Sequence, residues 1–253
     1  MKPLSLQLYT LREMCKADFF GTLKTVADIG FASVELAGLH GKPPAEVRKV
    51  LDDLGLKASS AHGPFPGPDQ INEIADTARV LGYEDYVLPW IGPHRFKRLD
   101  DIRASAALMQ AAAEALQPYG ITLGYHNHEH EMAIVGGDIA LARFFDAAPG
   151  LAAEIDTYWA ANFGATDPAA FVKRFAKRCP LLHIKDGSFD KAARVHTAVG
   201  AGKMDIPAVI AAADESVLKW LVVELDSCAT DMLQAVKDSY AYLTSRNLGA
   251  GRG

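Results

Sequence analysis

Residues 118–127 read PYGITLGYHN. A Pro-Tyr-Gly break leads into a short run with β-branched residues, and the run ends on an imidazole. Glycine closes a helix in the left-handed conformation without a Cβ penalty. The stretch therefore reads as helix end, strand, polar loop. The same order recurs in DIGFASVELA (28–37), DLGLKASSAH (53–62), VLGYEDYVLP (80–89) and APGLAAEIDT (148–157). The glycines at 30, 55, 82, 120 and 150 are each expected to end a helix, and their spacing is about one βα unit.

Between these breaks the apolar residues keep helical spacing. Phe19, Leu23 and Val26 form one such stripe, and Met232, Leu233, Val236, Tyr240 and Leu243 form the last. Each predicts the buried face of an amphipathic helix. Eight strands are expected, at roughly 4–9, 32–37, 57–62, 85–90, 121–126, 151–156, 181–185 and 220–225. Eight strands alternating with helices predict a (β/α)8 barrel, an α/β TIM barrel with a parallel eight-stranded barrel inside a ring of helices. An open doubly wound sheet usually carries a Gly-rich phosphate loop after its first strand. Here that strand runs into YTLRE (9–13). VGAGKMD (199–205) has two glycines but neither a dinucleotide fingerprint nor a P-loop, and reads as a loop with Asp205 capping the next helix.

The chain has 253 residues, 49% hydrophobic and 23% charged, which suits one soluble barrel over 1–253, with 245–253 expected as a frayed tail. The net charge of -5 leaves no basic footprint for nucleic acid. No apolar run is long enough for a membrane span, and the N-terminus does not read as a signal peptide. Cys15, Cys179 and Cys228 are too few and too scattered for a disulfide framework or a thiolate zinc site, so a cytoplasmic location is expected. A homo-oligomer is compatible with the fold, and no patch in the sequence identifies its interface.

In a barrel, function gathers at the C-terminal strand ends. Strand three ends at His62, strand five at His126, strand six at Asp156; strand seven carries His183 and Lys185, strand eight Glu224 and Asp226, strand two Glu35. Residues two apart share a face, so His126 goes with His128, Glu154 with Asp156, His183 with Lys185 and Glu224 with Asp226. An ionisable group in an apolar strand is costly unless it is paired or bound to metal. Any one of these residues alone is better read as a core histidine or a rim ion pair. Four successive strands ending in imidazoles and carboxylates point instead to one divalent ion, Mn²⁺, Mg²⁺, Co²⁺ or Zn²⁺. Trp90 and Trp159, near strand ends, read either as structural caps or as platforms for a sugar face. His62 and Arg12 are candidates for binding substrate hydroxyls or phosphate.

LQLYTLRE (6–13), SVELAG (33–38), YHNHEHE (125–131), EIDTYWA (154–160), LLHIKDG (181–187), VGAGKMDI (199–206) and LVVELD (221–226) occur in this order. Together they resemble the sugar phosphate isomerase/epimerase family of the xylose isomerase-like barrel superfamily, along nearly the whole chain. The resemblance implies one divalent metal at the barrel mouth, on Asp156, His183 and Glu224. The epimerase branch adds a glutamate near the end of strand five, where this chain has His126. Either His126 takes that role or Glu131 curls back to supply the carboxylate, and the reading here favours Glu131. His128 then lies over the substrate, while Glu129 and His130 are solvated.

The activity implied is metal-dependent isomerisation or epimerisation of a keto-sugar or related polyol through a stabilised enolate. Glu224, His126 and His128 are the candidates for proton exchange. Lys185 either polarises an oxygen or forms a rim ion pair. The same family contains inosose dehydratases and enzymes that eliminate from 3-keto-glycosides, so a lyase is the alternative. An endonuclease IV-like nuclease needs about twice as many ligands as can be placed, and a non-enzymatic sugar-binding protein would not need three metal-type residues on adjacent strands.

Overall fold

The computed structural model describes residues 1–252. Eight parallel strands close into a barrel in chain order. They are β1 Leu4–Gln7, β2 Ser33–Ala37, β3 Lys57–His62, β4 Asp85–Leu88, β5 Thr122–His126, β6 Ala152–Asp156, β7 Leu181–Ile184 and β8 Trp220–Val223. β8 returns to β1, pairing Leu221 with Leu4. One wall helix follows each strand: α1 Phe19–Ile29, α2 Pro44–Asp53, α3 Ile71–Leu81, α4 Leu99–Leu116, α5 Ala140–Ala147, α6 Pro168–Phe175, α7 Ile206–Ala211 and α8 Met232–Ser245. This is the expected (β/α)8 barrel. Among the described residues no helix is long and apolar enough to cross a membrane.

Several strands stop earlier than their apolar runs. β1 ends at Gln7 because its side chain turns to accept from Tyr9 N, capping a 3-10 turn at Leu8–Leu11. Gly30 has φ 115°, and its N–H closes on Val26 and Ala27, as the helix-end reading requires. Gly55, Gly82 and Gly120 are also left-handed, whereas Gly150 is not: α5 has already ended, and the Gly150 N–H goes to Gln110 Oε1 at 2.8 Å.

The apolar core lies between barrel and helices, where Leu4, Leu6, Val34, Leu36, Leu182 and Ile184 are fully or almost fully buried. The barrel interior is different. Its floor is a small cluster of Val87, Leu181 and Val222. The Asp85–Lys219 ion pair at 2.8 Å lies at the N-terminal ends of β4 and β8. Beside the floor, Ser5, Ser59 and Ser60 hydrogen-bond to one another. Small polar residues leave room above for long polar side chains, and those build the site.

The expected frayed tail is not frayed. Ala250 O accepts from Leu4 N at 2.8 Å, Ala250 N donates to Lys2 O, and Arg252 N donates to Gly30 O at 2.7 Å. The glycines allow this close approach: a Cβ on Gly249 would lie 2.4 Å from Leu4. Their role is contact with β1 rather than mobility.

Candidate metal centre at the barrel mouth

The period-two parity of β5–β8 sends His126, Glu154, Asp156 and His183 inward. Lys185 and Glu224 continue β7 and β8 on the same faces. The result is two tiers.

In the lower tier, His62 Nε2 lies 2.6 Å from Glu154 Oε2, His126 Nδ1 lies 3.1 Å from it, and His183 Nε2 lies 3.2 Å from it. Glu35 Oε1 meets His183 Nε2 at 2.7 Å and accepts from Gln7 Nε2 at 2.7 Å. Ser60 Oγ donates to the other Glu35 oxygen.

In the upper tier, His183 Nδ1 lies 2.9 Å from Glu224 Oε2. His126 Nε2 lies 3.8 Å from both Asp156 Oδ2 and Glu224 Oε2. The Lys185 ammonium is 2.7 Å from Asp156, 2.9 Å from Glu224 and 2.8 Å from Asp226.

Local structure holds these groups still. Asp156 Oδ1 caps the short helix Thr157–Ala160 by accepting from Trp159 N at 2.9 Å. Asn127 clamps the end of β5 to β6, accepting from Asp156 N at 3.0 Å and donating to Asp156 O at 3.3 Å. The Thr157 hydroxyl donates to His183 O at 2.9 Å.

The electrostatics follow from burial and charge together. Burial opposes ionisation of Glu224, but Lys185 and His183 outweigh it and hold its carboxyl well below the usual range. Glu154 is likewise buried and held down by His183 and His62. Glu35 goes the other way, raised by burial and by the charge of Glu154. Burial also works against the Lys185 and His183 cations, yet the facing carboxylates push both well above their usual values. Lys185 is thus a fixed ammonium rather than a proton donor, and it is both a buried ion pair and a cation aimed at the site. His128 is brought down to about 2 by burial and by His126 and Lys185, so it stays neutral.

Above the two tiers opens a cavity of about 590 Å³. His62, His126 and Glu224 reach its floor, Trp90, His128 and Trp159 its walls. Trp90 meets His128 edge-on at 4.7 Å, and Trp159 Nε1 donates to Asp226 Oδ2 at 3.2 Å. Among the expected residues, His62, Trp90, His126, His128, Asp156, Trp159, His183, Lys185 and Glu224 therefore converge on one place.

Two do not. Glu131 does not curl back into the tiers: its buried carboxylate accepts from the Tyr125 hydroxyl and from His128 N at 3.0 Å. Tyr125 faces outward from β5, so this contact draws Glu131 behind the strand. Arg12 does not face the cavity either. Its guanidinium donates to Tyr9 O and Asp226 O at 3.0 and 2.9 Å and lies over the Tyr9 ring. The arginine at the mouth is Arg194, ion-paired with Glu129. Glu129 and His130 are accordingly not simply solvated, since His130 Nε2 contacts Ile91 O at 3.1 Å between Trp90 and Phe96.

Glu35 and Glu154 carry the lower tier, although the sequence alone places them at strand ends without giving them a role. Their signal was present: each is a carboxylate in an apolar strand, on the face that other site residues share.

The position of Glu131 has a consequence for stability. Burial raises its carboxyl from 4.5 to about 8. A raised folded-state value stabilises the fold below the unfolded value and loses that contribution as pH rises. The wild type should therefore lose stability between pH 4.5 and about 8. Glu131→Gln should flatten that part of a urea-denaturation series; an unchanged slope would place the titration elsewhere.

Atoms suited to a divalent ion are present. His126, Asp156, His183 and Glu224 bring one ligand atom each within 4.8 Å of one another. Asp156 Oδ2 is buried and faces both the Lys185 ammonium at 2.7 Å and His126 Nε2 at 3.8 Å. Two imidazoles with two carboxylates form a mixed donor set appropriate to such an ion.

Comparison with known proteins agrees with this architecture. The rhizopine catabolism protein MocC of Rhizobium meliloti is 25% identical over 268 residues, covering 89% of this chain and 79% of MocC. The crystal structure of a sugar phosphate isomerase/epimerase from Parabacteroides distasonis ATCC 8503 superposes with a TM-score of 0.80 at 24% identity, covering 98% of this chain and 96% of that one. The structure of the IolI protein with a bound zinc atom superposes at 0.74 with 13% identity, over 97% and 99% of the two chains. The xylose isomerase-like TIM barrel family profile matches residues 23–246. The chain belongs to the xylose isomerase-like TIM barrel family.

Proposed function

We propose that this protein is a divalent-metal-dependent isomerase or epimerase acting on a keto-sugar or related polyol. The observation that carries the reading is the convergence of His126, Asp156, His183 and Glu224, one ligand atom each within 4.8 Å of the others, where His126 and Glu224 reach the floor of the cavity. These four would hold the ion, which when bound acts as a Lewis acid on a substrate carbonyl.

The chain's own groups supply the rest. Trp90 and Trp159 give flat apolar walls for a sugar face and keep water from it. Lys185 stays protonated and contributes a fixed positive charge beside Glu224 and Asp226, beneath the cavity floor. His128, which stays neutral, lies over the substrate, and His126 or Glu224, at the cavity floor, exchanges the proton. Such a base contributes roughly 10²–10⁴-fold. Return of the proton to the neighbouring carbon gives an isomerase, and return to the opposite face an epimerase.

Proton exchange tests this. The metal-loaded protein is incubated in D₂O with keto-sugars, inososes and 3-keto-glycosides and followed by NMR. Deuterium incorporated beside the carbonyl, without elimination, is expected. Loss of water or of an aglycone would make the protein a lyase of the same fold. No exchange with any candidate would refute the enolate reading.

A further inference from the structure

The two tiers share His126 and His183, and each ring presents a different nitrogen to each tier. His183 turns Nε2 down to Glu35 and Nδ1 up to Glu224. His126 turns Nδ1 down to Glu154 and Nε2 up toward Asp156 and Glu224. The lower nitrogens lie at hydrogen-bond distance from carboxylate oxygens, at 2.7 and 3.1 Å. On His126 only the lower nitrogen is at hydrogen-bond distance from a carboxylate, so its N–H points down. On His183 both nitrogens are, and once Nδ1 and Glu224 share an ion the N–H is left to Nε2, facing Glu35. A ring that keeps a single proton then has its lone pair in the upper tier.

We infer that Glu35 and Glu154 are positioning residues that fix the tautomers of His183 and His126, so that the upper tier receives two ligand-ready nitrogens. Histidines that bind metal usually give their other N–H to a carboxylate, carbonyl or water. The inference rests on the metal reading above and assigns a different task to the lower tier. His62, His126, Glu154 and His183 also cluster closely enough to hold an ion themselves. In that tier, however, Glu154 Oε2 is already engaged by His62 and His126, with His183 Nε2 at 3.2 Å.

Rigidity supports the positioning role. Glu35 is fully buried, and both its oxygens are engaged, one by Gln7 and the other by Ser60. His62 Nε2 spans the two carboxylates, 2.6 Å from Glu154 and 3.1 Å from Glu35, and its ring stacks on that of His183 with 5° between planes. The carboxylates thus share one imidazole nitrogen between them and have little freedom to turn away.

The test is cobalt titration of the chelator-stripped full chain, read by Co²⁺ absorption, with circular dichroism checking the fold. Loss of such a supporting carboxylate typically costs 10–100-fold in metal affinity. Glu35→Leu should weaken Co²⁺ binding by about that factor while the spectrum at saturation keeps its wild-type shape. Glu35→Gln, which retains an acceptor oxygen, should recover part of the loss. Wild-type affinity in a folded Glu35→Leu variant overturns the inference. So does a His62→Gln variant that binds no cobalt while Asp156→Asn still does, because the ion then lies in the lower tier.

The tautomer is read independently of metal, by long-range ¹H–¹⁵N NMR on the stripped wild type. A proton on His126 Nδ1 is expected, and a proton on Nε2 alone overturns the assignment. A wild type that takes up no cobalt, with His126 protonated at Nδ1, refutes the metal reading and upholds the tautomer.

Discussion

Replacing His183 with alanine is expected to strip the protein of bound metal and to cut turnover about 10³-fold, since a Lewis-acid contribution of several kcal/mol is lost at 1.36 kcal/mol per decade. The side chain is fully buried between Glu35 and Glu224, and both ring nitrogens are engaged. Alanine removes a ligand from the centre of the cluster. It also leaves Glu35, Glu154 and Glu224 without their shared cation, and breaking a buried pair costs about 3–5 kcal/mol. Stability and metal content should therefore fall together. Glu224→Gln separates the two effects, because it keeps the shape and removes one carboxylate. Elemental analysis of the purified variants checks both. An unchanged metal stoichiometry in either folded variant would remove these residues from the site.

The second large effect lies outside the site. Asp186→Ala is expected to destabilise the fold by about 4 kcal/mol, because the buried amides of Gly187 and Met204 lose their acceptor at roughly 1–3 kcal/mol each and those of the more exposed Gly200 and Gly202 lose it too. The fully buried Asp186 carboxylate accepts from Gly187 N at 2.8 Å, Gly200 N at 2.9 Å, Gly202 N at 3.0 Å and Met204 N at 3.0 Å. At about 2–4 °C per kcal/mol for a chain of this size, the melting temperature should drop by roughly 10 °C or more. Asp186→Asn keeps one acceptor oxygen and should fall between. Melting of Asp186→Ala within about 2 °C of wild type would show that the loop does not depend on this carboxylate.

This cradle also explains the glycines of VGAGKMD. A Cβ on Gly202 would lie 2.1 Å from Asp186 Oδ1, and one on Gly200 would lie 2.3 Å from the Tyr242 ring. The backbone amides that would face a phosphate in a nucleotide loop here face an internal carboxylate. That is why the stretch resembles a phosphate loop in composition and matches none in pattern. Asp205 caps α7 as expected, accepting from Ala208 N at 3.0 Å.

The barrel was legible because its cause is local. Helix-ending glycines, apolar stripes at helical spacing and short strands recur in order, and eight such units with no phosphate loop after the first strand favour a closed parallel barrel over an open sheet. Strand parity also turned His126, Asp156, His183, Lys185 and Glu224 to the barrel interior, since a period of two needs no tertiary information. Glu131 failed for a reason outside that logic. It lies beyond the strand, where the chain turns, and the buried hydroxyl of Tyr125 drew its carboxylate behind β5. Arg12 failed similarly, captured by the carbonyls of Tyr9 and Asp226.

Which side chains share a face was thus decided by the chain alone, through backbone periodicity. Which nitrogen of His126 or His183 looks up, and which carboxylate looks back at it, was decided only when β2, β3, β6 and β8 closed around them. Ring orientation is set by partners such as Glu35, 148 positions from His183 in sequence, and burial makes those contacts strong enough to prevail.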